Sequence, residues 1–321
     1  MITDSPWEDN AVERGILESS DFYVSRAECK TVDEVIATCR HADALLVGWA
    51  PIRREVIEKL ERCRFIIRYG IGYDNIDVTA ATDAGIAVAN NADYCIEEVA
   101  THALALVLAS HRQLSPLMHS VQSGEWDPLA VMLPMPQLRD QVVGLIGFGR
   151  IGARLGEMLR SLVAEVLVYD PALPPKSVPL EGVRLVSFEQ LLARSDYVSI
   201  HCPLNEQTRN LFTAKTIALL RPGAYLINCS RGGIIDESAL VEALESKRIA
   251  GAALDVVAEE PLAMDNPLRR FANVIVTPHA AWYSADADYL LRANPARAIV
   301  RFFAGEQLTL LNQPRPRSSR L

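Results

Sequence analysis

At 321 residues the chain is long enough for two domains of ordinary size, and a hydrophobic fraction of 50% suffices for two cores. A net charge of −8 argues against nucleic acid or an anionic membrane surface as a partner. No apolar run reaches membrane-span length, no basic-then-apolar signal opens the chain, and the six scattered cysteines form no CxxC pair; these features predict a cytoplasmic protein with free thiols and no metal site.

In chain order, Thr31 with Glu34 three residues on reads as a capping box that opens a helix. Ala44 to Val47 reads as a buried strand. Pro51 to Leu60 reads as a helix with Ile52, Val56, Ile57 and Leu60 on one face. Phe65 to Ile67 and Gly85 to Val88 are the next strands, so this stretch predicts a small parallel sheet flanked by helices. Glu97 to Leu108 is helical, with Ala100, Ala103, Leu104, Val107 and Leu108 forming an apolar face. Gly124 to Pro136 holds three prolines and two methionines and predicts irregular chain; a linker, an arm to a second subunit and a lid all fit. A second series follows, with strands at Val142 to Ile146, Val166 to Tyr169, Tyr197 to Ile200, Ala224 to Asn228, Ala252 to Val257 and Val274 to Thr277. Asp236 is placed to cap the helix that carries Leu240, Val241 and Leu244. Six strands in this rhythm predict a doubly wound sheet.

The loop Gly147-Phe148-Gly149-Arg150-Ile151-Gly152 is GxGxxG between an apolar strand and a helix. The first glycine permits a tight turn, the second lets the backbone approach a pyrophosphate, and the third allows close helix–strand packing. Asp170 closes the next strand, near the usual spacing of about 20 residues for an acid that binds the ribose hydroxyls. It would repel a 2′-phosphate, and the nearest following cation is Lys176, which favours NAD over NADP.

Three polar residues stand at or beyond strand ends in the second series: Arg231, Glu260 and His279. In a parallel sheet the carboxyl ends line the ligand crevice, so a cation, a carboxylate and a base there suit proton transfer at a carboxylate-bearing carbon. Glu259 adjoins Glu260, and one of the two is expected to be merely solvated. The other histidines lack such context.

From about residue 40 to 310 the sequence resembles the D-isomer-specific 2-hydroxyacid dehydrogenases. Gly144 to Gly152 is similar to that family's nucleotide signature, and Asn228 to Asp236, Ala253 to Pro261 and Thr277 to Trp282 are similar to its catalytic motifs. Arg68 to Asp77 and His279 to Ser284 most resemble the C-terminal-binding-protein branch. The resemblance implies an α/β protein with two doubly wound parallel-sheet domains separated by a cleft. A flavodoxin-like substrate domain would span 1–93 and 290–321, and a Rossmann NAD-binding domain 94–289. Arg231 would hold the substrate, His279 would be the acid–base, and Glu260 would orient it and favour its protonated form. Arg68, with the amides of Ile71 and Gly72, would grip the carboxylate, and Trp282 would wall the side chain. Cys202, Pro203, Thr208, Cys229 and Ser230 would line the cofactor, and Asp255 would contact the nicotinamide carboxamide. A homodimer is implied. The chain departs from the pattern at Val99, where many relatives carry threonine, and at Pro134 to Pro136, where relatives often carry arginine. Two other readings remain. One is an NAD(H)-sensing, corepressor-like scaffold that binds partner peptides; the other is a dehydrogenase of formate or phosphite, which would leave Trp282 little to touch.

Overall fold

The computed structural model describes residues 1–132, 134–174 and 180–315. Lys176 and the terminal residues 316–321 lie outside them. The chain divides into two compact units, Met1–Tyr94 with Ser284–Leu321, and Cys95–Tyr283.

The first unit runs α1 (Ala11–Glu18), α2 (Val32–Cys39), β1 (Ala44–Val47), α3 (Arg54–Lys59), β2 (Phe65–Arg68), α4 (Val78–Asp83) and β3 (Ala87–Asn90). The Thr31–Glu34 capping box forms at α2. β1, β2 and β3 pair in parallel in that order. Ile2 bridges in parallel to Leu46 on one side and Arg26 on the other. Counting these two short segments as strands gives the spatial order 2-1-3-4-5, the flavodoxin-like winding. Neither segment is long enough to carry a hydrophobic period, so pattern reading misses both. The core between sheet and helices holds Val35, Leu45, Val47, Val56, Ile66 and Val88.

Two expected boundaries move here. The helix read from Pro51 begins only at Arg54, because Ile52 pairs with the neighbouring loop: its amide donates to Asn75 and its carbonyl accepts from Asp77. The strand read from Gly85 begins at Ala87, because Gly85 stands at φ +69° and closes α4.

The second unit follows with α5 (Ile96–His111), α6 (Leu114–Gln122) and α7 (Pro128–Val131). The Pro- and Met-rich stretch is thus not wholly irregular: Asp127 caps a single helical turn by accepting from the Leu129 amide. Then come β4 (Val142–Ile146), α8 (Arg150–Leu159), β5 (Glu165–Tyr169), β6 (Val183–Leu185), α9 (Phe188–Arg194), β7 (Tyr197–Ile200), α10 (Ala214–Ile217), β8 (Tyr225–Asn228), α11 (Glu237–Glu245), β9 (Gly251–Leu254) and β10 (Val274–Val276). Among the described residues the sheet has seven parallel strands, not six, ordered β10-β9-β8-β7-β4-β5-β6. The missed strand, β6, is three residues with an exposed arginine at its centre, too short for a periodicity to register. β9 ends at Leu254 rather than Val257 because the chain turns at the buried Asp255.

Both faces of this sheet are covered. Val143, Leu145, Val166, Val168 and Ile227 pack on one side, while Ile146, Leu167, Ile200 and Leu226 pack on the other. That is why the strands read as continuous apolar runs and not as alternating ones. The winding reverses between β4 and β7, and in such sheets the ligand crevice opens at the carboxyl ends there.

The chain returns to the first unit as α12 (Ala285–Phe303). Phe302 stacks on Phe65 at 4.4 Å. Arg292 reaches Glu13, which is fully buried, at 3.1 Å, and its guanidinium lies 5.0 Å from the Trp7 ring centroid. Tyr69 and Asn10 also donate to Glu13, at 2.8 and 3.3 Å. Removing one member of a buried pair strands the other's charge, at a cost of about 3–5 kcal/mol. Arg292→Met is therefore expected to lower stability toward the low end of that range, since Tyr69 and Asn10 still serve Glu13. Adding Glu13→Gln should recover part of the loss. Urea unfolding of both variants measures this; a loss below about 1 kcal/mol for Arg292→Met would place the pair in effectively solvated surroundings.

Candidate active site

β4 leads into the glycine loop. Gly147 has φ +92°, and a Cβ there would stand 2.7 Å from the Cys202 amide nitrogen. A Cβ on Gly152 would stand 2.3 Å from the Gly147 carbonyl oxygen. Gly149 is different: it precedes α8, gives it no side-chain cap, and nothing lies within 4 Å of where its Cβ would project. Two glycines are thus demanded by packing. The third borders open space in front of the α8 amides, a cradle that a phosphate group fits. Arg150 and Ile151 form the first turn of α8, Arg150 exposed and Ile151 half-buried. Asp170, half-buried at the end of β5, accepts the Phe148 amide at 2.8 Å and the Ala172 amide at 2.9 Å. It therefore also braces the glycine loop.

The exits of β7 and β8 lie beside this loop. Thr208 donates to the Pro203 carbonyl at 2.6 Å and accepts from the Asn205 amide at 2.8 Å, which closes the turn after Cys202. Ser230 donates to the Cys202 carbonyl at 2.5 Å and ties the two exits together. Burial pushes the Cys202 thiol up to about 11. Burial, with the Asp255 charge behind it, also raises Cys229. Neither thiol is a ready nucleophile. His201 is held down to about 4 by burial and stays neutral, its Nε2 2.9 Å from the Ser199 hydroxyl.

Arg231 sits in a turn shaped by Asn228, whose side chain accepts from the Ser230 amide and donates to the Arg231 carbonyl, both at 2.9 Å. A Cβ on the next residue, Gly232, would stand 1.9 Å from the Val257 carbonyl oxygen, so the β8 and β9 exits touch. His279 Nδ1 lies 2.8 Å from Glu260 Oε2, and the Val257 amide donates to Glu260 Oε1 at 3.3 Å. Burial alone would raise the Glu260 carboxyl. The hydrogen bond and charge of His279 outweigh it, helped by the Val257 amide and the Arg231 charge, and hold the group below its ordinary value.

Asp255 is 1% exposed. Its carboxylate accepts from the Thr277 hydroxyl at 2.5 Å and from the Ala280 and Ala281 amides at 2.9 Å each, while its carbonyl accepts the His279 amide at 2.8 Å. His279 itself has φ +52°, a left-handed conformation that a histidine adopts at some cost. Asp255 therefore fixes the turn that carries His279. Thr277, which sequence reading left unassigned, is part of this clamp, as is His102, whose Nε2 lies 3.1 Å from the Thr277 hydroxyl. The spacing of Thr277 two residues before His279 was the available signal for the first. Nothing in the sequence ties α5 to that turn.

Of the remaining candidates, Trp282 belongs to the second unit, half-buried and edge-on to Tyr283 at 5.5 Å. Arg68, Ile71 and Gly72 belong to the first. Arg68 ends β2, is 5% exposed, and donates to Asn75 at 3.3 Å; the Ile71 carbonyl accepts from Asn90 at 2.6 Å. Among the described residues no cluster of three or more His, Cys, Asp or Glu could hold a metal ion, and no helix is long and apolar enough to cross a membrane.

Residues 104–281 match the family model described as D-isomer specific 2-hydroxyacid dehydrogenase, NAD binding domain. A D-3-phosphoglycerate dehydrogenase of Methanocaldococcus jannaschii is 37% identical over 308 residues, covering 95% of this chain but 57% of that protein. The chain thus spans little more than half the length of this curated relative. A D-lactate dehydrogenase from Aquifex aeolicus, solved with NAD and lactic acid, superposes with a TM-score of 0.84 at 26% identity over 95% of each chain. An acyclic imino acid reductase, solved with NADPH and D-Arg, also gives 0.84, at 28% identity over 97% of this chain and 99% of its own. With more than half its residues inside the matched model, and an NAD-binding domain in its second unit, the chain belongs to the D-isomer-specific 2-hydroxyacid dehydrogenase family.

Proposed function

We propose that the protein is an NAD-dependent oxidoreductase that interconverts a small 2-oxo acid and the D-isomer of its 2-hydroxy acid. The observation that carries this reading is the His279–Glu260 pair at 2.8 Å, within reach of the Arg231 charge at the same sheet edge. When bound, the nicotinamide supplies the hydride in reduction and accepts it in oxidation. Glu260 engages Nδ1, so Nε2 is the nitrogen assigned to the substrate oxygen: it gives a proton to the carbonyl in reduction and takes one from the hydroxyl in oxidation. Arg231 polarises the carbonyl. Arg68 and the amides of Ile71 and Gly72 are assigned to the carboxylate, and Trp282 to the substrate side chain. Gly147, Gly149, Arg150, Ile151, Gly152, Asp170, Cys202, Pro203, Thr208, Cys229, Ser230 and Asp255 are assigned to the dinucleotide.

Within the family we place the chain nearest the C-terminal-binding-protein branch, on the runs Arg68 to Asp77 and His279 to Ser284. We also infer a homodimer. It is supported by exposed Leu114, Met118 and Val121, spaced along one face of α6, and by exposed Trp126 and Leu129 beyond it. Six free cysteines, five of them buried, suit a reducing cytoplasm.

The direct test is a panel of 2-oxo acids assayed with NADH. A protein that binds NADH tightly yet reduces none of them would be a nucleotide-sensing scaffold instead.

The proton relay predicts a pH dependence. Reduction needs imidazolium and oxidation needs neutral imidazole, so reductive kcat/KM falls with rising pH while oxidative kcat/KM rises. The Glu260 carboxylate lies 2.8 Å from the ring's Nδ1, and a negative charge so placed attracts the positive one that reduction consumes. Glu260→Gln removes the charge and keeps the shape, so the reductive limb should move to lower pH; a limb that stays put or moves up would sink the pairing. His279→Gln should lose roughly 10²–10⁴-fold in both directions.

Cofactor choice gives another test. Asp170→Ala should raise the NADPH-to-NADH ratio of kcat/KM by about tenfold or more, the equivalent of one charged hydrogen bond. It should also weaken both coenzymes, since the Phe148 amide loses its acceptor. Wild-type protein that used NADPH as well as NADH would refute the ribose assignment.

A further inference from the structure

The loop that leaves β1 is held with unusual completeness. The Asp4 carboxylate accepts the amides of Gly48 at 3.0 Å and Ala50 at 3.2 Å on one oxygen, and that of Trp49 on the other. Thr3 donates to the first oxygen at 2.6 Å. On the carbonyl side, Asn75 donates to Gly48 at 3.2 Å and to Ala50 at 2.9 Å, while its own oxygen accepts from Arg68. Gly48 has no room for a side chain, since a Cβ would stand 2.3 Å from the Asp4 carboxylate. A loop so fixed nonetheless presents a tryptophan side chain that is 60% exposed, with its ring centroid 4.6 Å from the Arg68 guanidinium carbon.

A rigid backbone that displays a large aromatic ring is not what folding alone selects, because the indole gains little burial there. The guanidinium carbon lies over the indole face, whereas carboxylates engage the N–H edge of a guanidinium. Stacking on Trp49 is thus compatible with Arg68 holding a carboxylate at its edge, and it sets an apolar wall beside that carboxylate. The neighbouring exits offer little to a second anionic group. The loops around positions 48–53, 69–77 and 91–94 add Arg53, which donates to the Asp74 carbonyl at 3.0 Å, and the carboxylates Asp74, Asp77 and Asp93.

We infer that Trp49 is a specificity-determining residue and that the substrate is a 2-oxo acid with an uncharged, apolar or aromatic side chain rather than a phosphorylated one. This rests on the proposed dehydrogenase activity and on Arg68 as the carboxylate ligand. Trp49 takes no part in proton or hydride transfer; it sorts acids by what they place against the indole.

The test compares kcat/KM for phenylpyruvate and 4-methyl-2-oxopentanoate with that for glyoxylate, which has no side chain, and for 3-phosphohydroxypyruvate. Wild-type protein should prefer the two apolar acids to the phosphorylated one. Trp49→Ala should lower the ratio of each apolar acid to glyoxylate by about tenfold or more, in the range that a lost apolar contact gives. Trp49→Phe, which keeps a ring, should retain most of that ratio. Taking the ratio cancels any general loss from a displaced Arg68. If Trp49→Ala reduces all acids alike, or if 3-phosphohydroxypyruvate is the best substrate, the inference falls while the dehydrogenase reading stands. If wild-type protein reduces none of the acids, both fall together.

Discussion

A buried carboxylate at the end of β9 holds in place the turn that carries His279, the proposed acid–base. Asp255 is almost wholly out of water, and a carboxyl group buried there must be met by hydrogen-bond donors. Those donors are the Thr277 hydroxyl and two amides of the turn after β10, so the need to satisfy one carboxyl group dictates the path of that turn. The turn in turn forces His279 into a left-handed conformation and delivers its ring to Glu260. Strain at one residue is offset by hydrogen bonds at its neighbours, as functional sites commonly arrange.

The same device recurs twice. Asp170 at the end of β5 accepts the amide of Phe148 just past the end of β4, and Asp4, just beyond the bridged Ile2, accepts three amides just past the end of β1. The reason lies in parallel sheets themselves. All strands leave on one side, so the amides past each strand end lose their ladder partners together. A short acidic side chain on the adjacent strand can collect them. In each place the collected loop carries a residue with an assigned role: His279, the glycine cradle, or Trp49. The residues that brace a loop are therefore neighbours of those proposed to meet a ligand.

Glycine completes the arrangement by letting exits crowd. Gly147 abuts the β7 exit, Gly152 abuts Gly147, and Gly232 abuts the β9 exit, each at a distance that excludes a Cβ. Without them the strand ends could not converge closely enough for Ser230 to reach the Cys202 carbonyl or for Arg231 to influence Glu260.

The sequence by itself determined the two-sheet α/β plan, the glycine loop with its acid at Asp170, and the strand-end positions of Arg231, Glu260 and His279. Each depends on residues close in the chain: apolar runs long enough to show a period, or motifs whose spacing is local. Tertiary structure alone decided what depends on distant neighbours. Ile2 and Arg26 join the first sheet through single bridges, Ile52 leaves its helix to pair with Ile76, and β6 exists because β5 lies beside it. The clamp on His279 draws Asp255, Thr277 and His102 from three separate elements, and the stack of Trp49 on Arg68 joins two strand exits. No local pattern encodes such contacts, because a single buried charge or an aromatic face is satisfied by whatever the folded chain brings near.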